Sequence, residues 1–83
     1  MWLVRVPAGL EHVLSIDPQV KQGELCFMGT RVPLEVLLDS LDEGVGREDF
    51  RNHYPTVDQW QVDAVISWEQ NALRQAAGLR RAG

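Results

Sequence analysis

Apolar positions change period once along this chain. Up to residue 28 they come in short runs or alternate with polar ones; from Leu34 onward they recur every three or four residues. Val4 and Val6 flank Arg5, so the start reads as an edge strand that Pro7 ends. Val13, Leu14 and Ile16 precede Asp17-Pro18, a turn signal, and Gln22-Gly23 marks a second turn. Leu25 to Met28 is short, apolar and partly aromatic, the signature of a buried strand. Pairing Leu14–Ile16 with Leu25–Phe27 gives a two-stranded ribbon. Such a ribbon is barely stable by itself, so it must pack on helices or on another chain.

Three helices come after it. The first is predicted from Pro33, at the first helical position where its missing N–H costs nothing, to Glu43. Leu34, Leu37, Leu38 and Leu41 form its apolar stripe, and Gly44 supplies a left-handed stop. The second runs from Arg47 to His53, capped by Gly46 and ended by Pro55, with Phe50 and Tyr54 facing the core. The third runs from Gln59 to Ala76. Asp58 and Gln61 form a capping box, with a hydrophobic staple from Val57 to Val62. It carries two stripes: Val62, Val65, Ile66 and Leu73 on one, Trp60, Ala64, Trp68 and Ala72 on the other. Two stripes are more apolar surface than two small neighbouring helices can cover. The outline is a mainly α, three-helix domain of helix-turn-helix type with a short N-terminal β ribbon.

Length makes this one domain: a β and loop segment over 1–28, the trihelical part over 33–76, and a tail over 77–83 predicted to be disordered. A domain this small buries only about 60% of its unfolded surface, which points to a homodimer or a permanent partner. Cys26 is the one cysteine, and no secretory segment is legible at the start, so a cytoplasmic setting is expected. No apolar run approaches the roughly 18 residues a membrane span needs. The net charge of −4 argues against tight nucleic-acid binding by an isolated monomer, although Arg74, Arg80 and Arg81 make the C-terminal end basic.

Candidate chemistry is sparse. His12 and His53 have no cysteine beside them, so no zinc spacing exists. Cys26 lies in an apolar run and reads as a small buried side chain. Asp39, Asp42 and Glu43 spread over a polar helix face. With no acid–base pair, no catalytic residue, metal or cofactor is expected, and the chain is not read as an enzyme. Gly29, Thr30 and Arg31 carry two readings: a contact to a ligand or partner through Arg31, or a turn in which Thr30 bonds local backbone and Arg31 pairs with Asp17 or Glu35. Helix three is where a helix-turn-helix reads DNA. Gln59 and Gln61 are candidates for adenine edges, and Arg47 and Arg51 for phosphates, with Asp58 and Asp63 working against them. Trp2, Trp60 and Trp68 are interface candidates, with core as the alternative for each.

Asp17-Pro18, Gly23-Glu24-Leu25-Cys26-Phe27, Gly29-Thr30-Arg31-Val32-Pro33, Leu37, Leu38, Gly44, Phe50, Tyr54-Pro55 and Val57 together resemble domain of unknown function 433, over roughly residues 14–73. The resemblance implies a homeodomain-like trihelical fold with a short β element. It also implies an antitoxin that binds and neutralises a PIN-like ribonuclease toxin and represses its own operon by binding operator DNA. A DNA-binding regulator without a toxin partner is the alternative. Gly29, Thr30 and Arg31 are signature positions; no catalytic residues carry over. Met28 and Glu24 stand where such proteins often have basic residues, and Gly46 where they have Ser or Thr.

Overall fold

The computed structural model describes residues 4–20 and 23–79. Two strands, β1 (Leu14–Ile16) and β2 (Leu25–Phe27), precede three helices, α1 (Leu34–Asp42), α2 (Arg47–His53) and α3 (Gln59–Ala77). The strands pair antiparallel with Leu14 opposite Phe27, Ser15 opposite Cys26 and Ile16 opposite Leu25. The chain is therefore mainly helical with an N-terminal two-stranded ribbon, as the change of period predicts.

The ribbon is held by the helices. Leu14 and Phe27 sit opposite each other and are fully buried. The Phe27 ring lies 6.4 Å from that of Phe50, tilted by 51°. Phe50 in turn lies 5.0 Å from Tyr54. This line of aromatic rings runs from β2 into α2, and edge-tilted pairs of this kind add to plain area burial. Leu10, Val13, Leu37, Val57, Val62 and Val65 complete the same cluster.

Helix boundaries obey local chemistry. Gly44 has φ +84°, and its N–H and that of Val45 bond to the carbonyls of Leu41 and Ser40 at 3.0 and 2.9 Å. That is a Schellman stop for α1, available because glycine has no Cβ to clash. At the start of α3, Gln61 Oε1 accepts the Asp58 N–H at 2.9 Å in a capping box. Val57 and Val62 are both fully buried, as a staple requires. Pro33 differs from its predicted place. Its φ of −65° suits a helix but its ψ of 145° is extended, and it stands one residue before α1. The ring fixes only φ; an antiparallel bridge to Cys26 sets ψ.

The two chain ends also differ from the sequence pattern. Met1 to Leu3 lie outside the described residues, and Val4 to Pro7 form no strand. The chain turns at Pro7, whose carbonyl accepts the Leu10 N–H at 3.0 Å. Residues 8–12 are then held by side chains of α3 rather than by a neighbouring strand. At the other end Ala77 is still helical, and the Leu79 N–H closes the helix on the Arg74 carbonyl at 2.8 Å. Residues 80–83 of the predicted tail lie outside the described residues. Among the described residues, no helix is long and apolar enough to cross a membrane.

Candidate functional site

The stretch from Phe27 to Pro33 is a braced knuckle. Phe27 and Thr30 close a tight turn, the Thr30 N–H donating to the Phe27 carbonyl at 3.0 Å. Gly29 takes φ +80°, the angle a type II turn demands at its third position. The Thr30 hydroxyl donates to the same carbonyl at 2.9 Å and accepts the Val32 N–H at 3.0 Å. Thr30 is thus committed to the local backbone, one of the two readings its type allows. Met28 is pinned from both sides. Its N–H donates to the Val13 carbonyl at 2.8 Å, and its carbonyl accepts from Gln61 Nε2 at 3.0 Å. Its side chain points outward, 42% exposed.

Arg31 is exposed at the tip, and among the described residues it makes neither an ion pair nor a hydrogen bond. The expected pairing with Asp17 or Glu35 does not form. The Asp17 carboxylate instead caps its own turn, accepting the Gln19 N–H at 2.9 Å, and Glu35 is an exposed residue of the first turn of α1. Arg31 borders an open groove of about 730 Å³, whose wall includes Asp17, Glu24, Cys26 and Thr56. Cys26 is buried at 3% exposure, as its apolar neighbours predict.

The surface predicted to read DNA is largely engaged elsewhere. Gln61 is 3% exposed, and both ends of its amide are bonded inside the fold, so its assignment to a base edge is corrected. The N3 position of the capping box turns it inward. Arg51 Nε–H donates to the Val57 carbonyl at 3.3 Å, tying α2 to the turn before α3. Arg47 pairs with Asp63 at 2.6 Å. Both side chains are well exposed, so the pair adds little stability, yet it offsets the charge of Arg47. Gln59 stays on the surface.

The tryptophans clamp the N-terminal strap. Trp68 Nε1–H donates to the Ala8 carbonyl at 2.9 Å, and a Cβ on Gly9 would stand 3.5 Å from the Trp68 ring. The His12 ring stacks on Trp60 with centroids 6.0 Å apart and an interplanar angle of 9°. The chain's own residues 8–12 therefore take part of the second stripe of α3, leaving Trp60 at 50% and Trp68 at 38% exposed. Trp2 lies outside the described residues. Sequence reasoning misses this clamp. The small residues Ala8 and Gly9 are its one local sign, and they specify no partner.

Comparison with known proteins gives one result. The model of the family described as "Protein of unknown function (DUF433)" matches residues 14–68, from the start of β1 to Trp68. No curated protein and no solved structure matches.

Proposed function

The chain belongs to the DUF433 family, and on that premise we propose that it works as an antitoxin, binding and neutralising a PIN-like ribonuclease toxin in the cytoplasm. The observation that carries this reading is the braced knuckle with its open arginine. Backbone pinned from below loses little freedom on binding, which favours affinity. Met28 and Arg31 are of the side-chain types enriched in protein interfaces, and arginine is among the common energetic anchors. The guanidinium fork suits a carboxylate on the partner.

Co-expression with the product of the neighbouring reading frame tests this. Growth should be rescued from that product's toxicity and the two chains should co-purify. Arg31→Glu should weaken co-purification at least about tenfold, roughly the effect of losing 1.4 kcal/mol at an anchor. Its thermal melting should not move, because Arg31 braces nothing within the described fold. A neighbour that is neither toxic nor retained by this chain rejects the reading.

The second reading, a regulator that binds DNA without a toxin partner, keeps Gln59 and Arg47 on the surface but has lost Gln61 to the interior. A gel shift on the gene's own promoter separates the two. A shift with this chain alone, weakening as salt rises, favours the regulator; a shift only with the partner present favours an autorepressing antitoxin complex.

A further inference from the structure

The outward face of the ribbon carries its charges in a set order. The register that puts Ser15 opposite Cys26 puts Asp17 opposite Glu24, one step beyond Ile16 and Leu25. Residues 31–33 run back along the other edge of β2, where Cys26 bridges Pro33 and the Phe27 N–H donates to the Val32 carbonyl at 3.0 Å. Side chains alternate across a strand, so Leu14 and Phe27 turn to the core while Asp17, Glu24, Cys26 and Arg31 share the opposite face. Those four do line the open groove of about 730 Å³, with Thr56, from the segment before α3, on its wall.

The charges at its two ends are uncompensated. Asp17 and Glu24 set two carboxylates against each other at the loop end of the ribbon, an arrangement that repels. Among the described residues Glu24 makes neither an ion pair nor a hydrogen bond, and Asp17 engages only Oδ1, on its own turn. Arg31 stands level with Met28, four residues of strand from Glu24, or about 13 Å. That span is why the guanidinium pairs with neither carboxylate. Backbone bonds hold both ends, the Asp17 turn through Gln19 and Val20 and the knuckle through Val13 and Gln61. A site fixed in this way loses little freedom on binding.

We infer, on the antitoxin reading, that this face is the groove that sets specificity for the toxin. It takes an extended segment of that protein, with a lysine or arginine between Asp17 and Glu24 and an aspartate or glutamate four residues along on Arg31. Four residues of extended chain cover the same span of about 13 Å, and side chains four apart point to one side. A helix would need its two charges about nine residues apart to do the same. A segment with one sign of charge throughout is repelled at one end, which is how the groove rejects wrong partners.

Affinity for the product of the neighbouring reading frame tests this. Glu24→Lys should weaken binding at least tenfold, and Asp17→Asn about threefold. Both should melt with the parent, because Glu24 braces nothing within the described fold and an asparagine oxygen can still accept the Gln19 N–H. Reversing one basic residue of the toxin should restore Glu24→Lys, and reversing one acidic residue should restore Arg31→Glu. The two restoring positions should stand four apart in the toxin's sequence. Toxin that binds Glu24→Lys as tightly as the parent overturns the groove and leaves the antitoxin reading standing. Restoring positions about nine apart overturn the extended segment. A neighbour that does not bind the parent rejects the antitoxin reading, and the groove's role falls with it.

Discussion

Gln61→Met should lower the unfolding free energy by about 3 kcal/mol and the melting temperature by roughly 15 °C. The substitution keeps length and volume, so it isolates the amide. In the native chain that amide spans two pieces of structure. Oε1 accepts the Asp58 N–H at the start of α3, and Nε2 donates to the Met28 carbonyl in the knuckle, 33 residues away. Methionine leaves both backbone groups without their partner. Both bonds are part-buried, so each lost bond costs about 1 kcal/mol, and losing half of the capping box adds about as much again. Gln59→Met, two residues earlier on the exposed side, is the control and should change stability by less than about 0.5 kcal/mol. Equal melting temperatures for the two variants would remove Gln61 from its bracing role. The effect should reach function as well, since the Met28 carbonyl is one of the two points that hold the knuckle rigid. On the proposed antitoxin reading, Gln61→Met should therefore also bind the toxin more weakly in conditions where it is folded.

How far the sequence carries depends on the distance over which each feature is decided. The helices α1, α2 and α3 are legible because stripe, cap and stop all lie within one or two turns, as in Asp58, Gln61 and Gly44. The ribbon is legible because two short apolar runs flank a turn marked by Asp17-Pro18. The features that escape depend on contacts remote in sequence. Gln61 looks like a surface residue on a helix expected to read DNA, until Met28 is placed beneath it. The strap at residues 8–12 looks like loop because its partners, Trp60 and Trp68, come some fifty to sixty positions later, with Trp68 meeting Ala8 across 60. Pro33 misleads for a local reason: proline constrains φ and leaves ψ to the bridge with Cys26. Arg31 misleads by charge. Two acids lie near it in sequence, but one caps its own turn, and no exposed pair is strong enough to pull the guanidinium back.

Phe27→Ala should remove about 4 kcal/mol of stability, the usual cost of truncating a fully enclosed phenylalanine. Domains of this kind hold only about 5 to 15 kcal/mol in all, and small ones lie at the low end. The variant should therefore be largely unfolded near 37 °C. The informative point is what unfolds with the ribbon. Phe27 belongs to a three-residue strand, yet its ring packs toward Phe50 on α2 and shares one cluster with Leu37 on α1 and Val62 on α3. If the ribbon were an appendage, Phe27→Ala would free it and leave the helical circular dichroism and its melting temperature in place; that result would refute a shared core. If ribbon and helices form one cooperative unit, near-ultraviolet and far-ultraviolet signals should fall together at one lowered midpoint. Phe27→Leu, which keeps most of the volume, should cost less than about 1.5 kcal/mol and retain the fold. The pair of variants then connects folding to recognition. The knuckle begins at Phe27, so the ring that anchors the ribbon also fixes where Met28 and Arg31 emerge. On the proposed antitoxin reading, Phe27→Leu should hold its fold but bind the toxin less tightly, because a smaller anchor lets the knuckle shift without letting it go.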